Sequence, residues 1–127
     1  MEIRIGACAC GAVKFKVMGN PFRVGLCHCH DCRRETGSAF ATFGVWPRSA
    51  FTCNGNYATH SGRSFCPKCG SRLFALTDEE AEIKLGSLDS APFDIRPSYE
   101  LWTKRRERWL LPLPRCEQYD EDRIKGR

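Results

Sequence analysis

Apolar and polar residues alternate in Glu2-Ile3-Arg4-Ile5 and again in Ala12-Val13-Lys14-Phe15-Lys16-Val17, the period of a strand with one buried face. Two neighbouring strands are expected there. Gly19-Asn20-Pro21 then breaks the chain, and the apolar stretch from Phe22 to Leu26 leads into a dense cysteine group that ends at a Gly37-Ser38 turn. Ala39 to Trp46 is rich in β-formers, and Tyr57 to His60 is a brief candidate strand. Leu73 to Leu76, Glu82 to Leu88 and Tyr99 to Thr103 continue the series of short strands separated by turns. Helical signal is thin. Asp31 to Thr36 has room for one turn, and Thr77-Asp78-Glu79-Glu80 has a capping residue followed by acids, but neither supports a helical core. The pattern predicts an all-β fold.

Length sets the scale: 127 residues suit one domain, expected over residues 1–127 with its core at about 3–110 and a charged, fraying tail at about 115–127. Hydrophobic residues at 42% and charged residues at 28% exclude a disordered or fibrous chain. No apolar run approaches the length of a membrane span, and Met1 to Gly6 has no apolar signal core, so a soluble, cytoplasmic protein is expected.

Nine cysteines change the picture. An odd number in a chain without an export signal argues against a disulfide framework and for thiolate ligands in a reducing compartment. Cys66-Pro67-Lys68-Cys69-Gly70 is a tight turn that puts two sulfurs on one side, with a glycine that lets the backbone fold around a metal. Cys8-Ala9-Cys10-Gly11 offers a second pair, and the two together make a closed four-cysteine site of structural type.

Cys27-His28-Cys29-His30-Asp31-Cys32 differs in kind. Three sulfurs within six residues leave a fourth ligand position, which is the geometry of a catalytic metal and, with three thiolates, one suited to an incoming thiol. His28 or His30 closing the sphere is the structural alternative. Arg33, Arg34 and Arg63 flank these groups and are candidate contacts for a ligand's carboxylates, or else balance the thiolates.

Charge adds little after that. All of the +5 excess lies in residues 1–63, and seven thiolates against two Zn²⁺ ions take three charges off it, leaving +2. Basicity is then no argument for nucleic acid. Lys104 to Arg108 is the one basic run, and Asp120-Glu121-Asp122 follow close behind it, so a solvated segment is the simpler expectation. Phe40, Phe43, Trp46, Phe51 and Phe74 are expected in the core. Cys53 is expected as a small buried hydrophobe and Cys116 as an exposed thiol, while His60 is a loop histidine or a residue reaching the metal.

Three segments together resemble a known family: Gly6-x-Cys8-x-Cys10-Gly11-x-Val13-x-Phe15, then Cys27-His28-Cys29-x-x-Cys32-Arg33-Arg34-x-x-Gly37-Ser38, then Phe65-Cys66-x-x-Cys69-Gly70-Ser71-x-Leu73. Their order, spacing and flanking residues are similar to those of the glutathione-dependent formaldehyde-activating enzyme family, which includes the centromere protein V type domain. The resemblance covers roughly residues 3 to 110 and implies an all-β, Mss4-like (β-tent) fold with two zinc ions. By position, Cys8, Cys10, Cys66 and Cys69 would hold a structural ion, and Cys27, Cys29 and Cys32 a catalytic one. The implied activity is that of a carbon-sulfur lyase, joining the thiol of glutathione to formaldehyde or a related aldehyde. From their place beside Cys32, and not from the resemblance, Arg33 or Arg34 is the candidate contact for the carboxylates of that thiol. The alternative is a non-enzymatic module in which both zinc ions are structural and the basic run meets a protein or nucleic-acid partner.

Overall fold

The computed structural model describes residues 2–123; residue 1 and the last four residues of the expected charged tail lie outside them. Among these residues the fold is mostly β, as expected, with two sheets and one short α-helix. Strands β1 (Ile3–Ala7) and β2 (Lys14–Met18) form an antiparallel hairpin, and β5 (Phe51–Asn54) adds to β2 to complete a three-stranded sheet. The larger sheet has eight strands in the order β11-β10-β3-β4-β9-β8-β7-β6. Its members are β3 (Arg23–Cys27), β4 (Ala41–Pro47), β6 (Ala58–His60), β7 (Arg63–Phe65), β8 (Arg72–Leu76), β9 (Glu80–Lys84), β10 (Tyr99–Leu101) and β11 (Glu117–Gln118). The helix α1 (His30–Thr36) joins β3 to β4.

Alternation decides what each sheet buries. In β2 the residues Phe15 and Val17 are buried while Lys14, Lys16 and Met18 are exposed. Phe15 and Phe51 of the small sheet meet Phe74 of the large one at centroid separations of 5.9 and 4.8 Å, both edge-on. Val24, Trp46, Leu73, Ile83 and Leu85 complete this main core. Gly6 is required by it: a Cβ there would lie 2.4 Å from the Phe15 ring.

The opposite face of the large sheet carries a second cluster. Residues paired across neighbouring strands share a face, so Cys27, Ala41 and Leu101 form one row. Gly25, Phe43, Lys84 and Tyr99 form the next, and Arg23, Val45, Glu82 and Ala75 the third. Cys27, Phe43, Val45 and Tyr99 are buried together, with Cys29, Cys32, Leu101, Trp102 and Tyr119 packed against them. Phe43 thus belongs to this cluster and not to the main core, and Phe40 is only half-buried.

Three local expectations change. The strand expected over Glu82 to Leu88 is β9, Glu80–Lys84, followed by a 3-10 turn at Leu85–Ser87 that Ser87 closes by donating to the Lys84 carbonyl at 2.7 Å. The cap at Thr77 starts no helix. Its hydroxyl accepts from the Glu79 and Glu80 N–H groups at 3.3 and 3.0 Å and shapes the β8–β9 hairpin. Within the tail expected at about 115–127, the described part is held in the sheet: β11 pairs in parallel with β10 and the Tyr119 N–H donates to the Glu100 carbonyl. Among the described residues no helix is long and apolar enough to cross a membrane.

Candidate metal centres

Cys8, Cys10, Cys66 and Cys69 place their sulfurs within 4.8 Å of one another. Four thiolates at about 2.3 Å from one zinc would lie roughly 3.8 Å apart. Cys8 to Cys10 is 3.6 Å and Cys10 to Cys66 is 3.8 Å, so the donor set fits. Two loops make this site. In the β1–β2 loop the Val13 N–H donates to the Cys8 sulfur at 3.3 Å. In the β7–β8 loop the Gly70 N–H donates to the Cys66 carbonyl, with Gly70 in the left-handed region. Ser71 ties the loops together, its hydroxyl accepting from the Ala9 N–H at 2.9 Å and lying 3.1 Å from the Cys69 sulfur. That hydroxyl, with the Ser71 N–H, lowers the Cys69 thiol to about 5. The Ala12 N–H favours the Cys10 thiolate, yet the competing Cys8 sulfur, burial and the other two sulfurs push Cys10 up to about 11. Such crowding of sulfurs is relieved by a divalent cation.

Cys27, Cys29 and Cys32 form the second group, also within 4.8 Å. Cys27 ends β3, and Cys29 is the N-cap of α1, its sulfur accepting from the Cys32 N–H at 3.3 Å. Gly37 stops the helix in the left-handed region with its N–H on the Arg33 carbonyl. The Cys32 thiol is pushed far up, first by its hydrogen bond with Cys27, then by burial and the charge of Cys27, with Lys84 opposing. Burial raises Cys29 as well. Three sulfurs that resist ionising together are the donor set a cation converts to thiolates.

Neither imidazole joins them. His28 is buried with Nε2 2.8 Å from Glu100 Oε1, and His30 is exposed. Glu100 Oε2 in turn accepts from the Leu113 N–H at 2.8 Å and the Gln118 amide at 2.9 Å. Burial works against its ionisation, but Gln118, Leu113, His28 and Arg106 hold the Glu100 carboxyl below its ordinary range. His60 is exposed on β6 and joins neither group.

The flanking arginines part company. Arg33 pairs with Glu107 at 2.6 Å and donates to the Arg105 carbonyl, whereas Arg34 is exposed with no partner among the described residues. Arg63 reaches Glu35 at 2.5 Å. The same carboxylate, only 12% exposed, also meets Lys84 at 2.8 Å and Arg72 at 3.5 Å. Glu35 lies three residues after Cys32, on the same side of α1. It therefore ties the three-cysteine helix to β7 and β8, the strands that bracket Cys66 and Cys69. Only that helical spacing hinted at Glu35 and its partners, and nothing in the sequence pointed to Glu100.

The basic run is largely neutralised. Lys104 pairs with Glu121, Arg106 meets Gln118 and Glu100, and Lys104 and Arg105 lie over the Trp102 ring. Cys53 is half-buried against the main core, and the Cys116 thiol, half-buried and not exposed, donates to the Pro97 carbonyl at 3.2 Å.

The fold and the family are shared with known proteins. The crystal structure of a Rhodobacter sphaeroides protein, 22% identical, superposes with a TM-score of 0.55 over 68% of this chain and 89% of that one, which shows a shared fold. A Halomonas elongata protein named "Putative glutathione-dependent formaldehyde-activating enzyme" is 27% identical over 92 residues. The match takes in 61% of this chain and about three-fifths, 59%, of that relative's length. The family described as glutathione-dependent formaldehyde-activating enzyme matches residues 3–105, and the chain, with both cysteine clusters inside that range, belongs to this family.

Proposed function

We propose that the chain is a zinc-dependent carbon-sulfur lyase-type protein that binds glutathione at Cys27, Cys29 and Cys32 and joins its thiol to formaldehyde or a related aldehyde. The observation that carries this is the three-sulfur group, within 4.8 Å of which no ring nitrogen of His28 or His30 lies as a fourth member. A fourth position is thereby left to a substrate. Zinc held by three thiolates supplies, when bound, a mild Lewis acid that keeps an incoming thiol as its thiolate. The chain's own residues do the rest. Cys29 caps α1 and orients Cys32, Lys84 adds a positive charge on the side of Cys32, and the row of Phe43 and Tyr99 shields the group from water. In the net reaction a carbon-sulfur bond forms at the aldehyde carbon, and the proton lost by sulfur ends on the carbonyl oxygen. Cys8, Cys10, Cys66 and Cys69 hold the structural ion in this reading. A reducing, cytoplasmic setting belongs to this reading, because seven of the nine cysteines act in it as thiolate ligands.

The test is metal content on protein purified under reducing conditions, with a glutathione titration of the cobalt-substituted form. Two metals per chain and one spectrum that shifts with glutathione are expected. Two metals with neither spectrum moving would overturn the proposal and favour a module with two structural ions.

A further inference from the structure

Between β10 and β11 the chain leaves the large sheet and returns to it through an arm, residues 107–114. Both ends of the arm are fastened. Glu107 pairs with Arg33 at 2.6 Å and its carbonyl accepts from the Leu110 N–H, while the Leu113 N–H donates to the buried Glu100 carboxylate at 2.8 Å. Between these fastenings Trp109 is 72% and Leu111 83% exposed, the two most exposed large apolar side chains among the described residues. Apolar side chains held out in water at a fixed tip mark a surface that meets something else.

Charge indicates what the tip faces. Residues 108–116 contain no acid, and Arg108 and Arg115 stand on either side of Trp109-Leu110-Leu111-Pro112-Leu113-Pro114. Arg96 joins them by donating to the Pro114 carbonyl at 3.2 Å. All three arginines are exposed and have no ion pair among the described residues. The nearest acids in sequence are engaged elsewhere, Glu107 with Arg33 and Glu117 with the Tyr119 hydroxyl at 2.6 Å. A second copy of the chain is a poor match for this tip. Ile3, Ile5 and Met18, exposed together on the outer face of the small sheet, share that face with Lys14 and Lys16, whose charges repel the arginines.

A tryptophan and leucines bracketed by arginines, with no acid among them, suit the boundary of an anionic bilayer: the ring and the leucines leave water while the guanidinium groups stay among the phosphates. A fluid boundary also accepts a protruding tip without a matching pocket. We propose that the arm docks the chain on an anionic lipid surface, with Trp109 and Leu111 inserted at the headgroup level and Arg96, Arg108 and Arg115 against the lipid phosphates. The contact lies on the bilayer and does not span it, in keeping with the want of a membrane-crossing helix among the described residues. It stands independently of the reading of the two cysteine groups.

Co-sedimentation of the full chain with lipid vesicles is the test. Vesicles of equal parts phosphatidylglycerol and phosphatidylcholine are expected to bind the chain about 100-fold more tightly than phosphatidylcholine alone, the order for three arginines at an anionic surface. Trp109→Ser combined with Leu111→Ser is expected to weaken that binding about ten-fold, and Arg108→Glu combined with Arg115→Glu to remove the preference for the anionic vesicle. All four positions are exposed, so the thermal transition should stay in place. On binding, tryptophan fluorescence should shift to the blue, and Trp109→Phe, which leaves Trp46 and Trp102 as they are, should abolish the shift. No binding to the anionic vesicles overturns the proposal, and capture of polyglutamate in their stead assigns the arm to an acidic protein. Binding that survives Trp109→Ser with Leu111→Ser refutes the insertion. A dimer of the free chain that the same double variant dissolves gives the tip to a second copy.

Discussion

Glu100 gathers His28, the Leu113 N–H and the Gln118 amide on one carboxylate that is 2% exposed. Two of those partners belong to the segment after β10, and the third lies between two of the cysteines. One carboxylate thus holds the late segment against the cysteine loop. Glu100→Gln keeps the shape but removes the charge that the Leu113 N–H, the Gln118 amide and Arg106 all face, so the bonds that remain are no longer charge-assisted. The expected loss is about 2 kcal/mol, a typical value for such a bond. It should be read as a fall in Tm of roughly 8 °C for a domain of this size, and an unchanged Tm would show that the late segment holds itself. His28→Ala should lose a similar amount, and the double variant should fall short of the sum, since both remove one interaction.

The helix α1 has seven residues, too few to be stable alone, and needs its ends and one face fixed from outside. Cys29 and Gly37 fix the ends, and Glu35 fixes the face through Lys84, Arg63 and Arg72. Burial disfavours the charged form of Glu35, but Lys84 first, then Arg72 and Arg63, hold its carboxyl below the ordinary range. A carboxyl depressed in this way contributes stability that is present above its unfolded pKa, about 4.3, and is lost as pH falls through the lower folded value. Glu35→Gln is therefore expected to cost about 3 kcal/mol at pH 7, at the low end for breaking a buried pair. The gap to the native chain should begin to narrow in denaturant titrations as pH falls below about 4.3 and should close only under the lower folded value. A gap that stayed constant with pH would assign the loss to packing. Elements of this kind mark the boundary of what the sequence discloses. Alternation revealed β1 and β2 because one face of each is buried. Clustered β-formers revealed β4 and β8. The segments Arg63–Phe65 and Glu117–Gln118 are too short to show a period, and their pairing depends on distant partners. Cysteine spacing disclosed the three-sulfur group and each pair of the four-sulfur group, because ligands close in sequence are close in space, and the pairs go together because two sulfurs cannot close a tetrahedron. The Glu35 cluster draws on four elements, and β-strand order, not local pattern, brings them together.

At the scale of the molecule the two sulfur groups occupy different places in the fold. The four-cysteine group joins the β1–β2 loop of the small sheet to the β7–β8 loop of the large one, so it fastens the two layers that enclose the main core. The three-cysteine group lies within one stretch of chain, from the end of β3 into α1, on the outer face of the large sheet. A structural zinc contributes on the order of 10 kcal/mol, comparable to the whole stability of a typical domain, about 5–15 kcal/mol. On the proposed reading, in which the first group holds such an ion, stripping metal from it should unfold the chain, and stripping metal from the second group should not. Cys66→Ser is expected to abolish the cooperative thermal transition and, because Arg63 and Arg72 then no longer hold Glu35 and α1, to empty both groups of metal. Cys29→Ser is expected to retain one metal and a cooperative transition, with the thiol-dependent shift of the cobalt spectrum gone. Metal analysis of the two variants beside circular dichroism melts separates these outcomes. If Cys66→Ser kept one metal and the thiol response, the groups would be independent, and Glu35 would serve only to hold the helix.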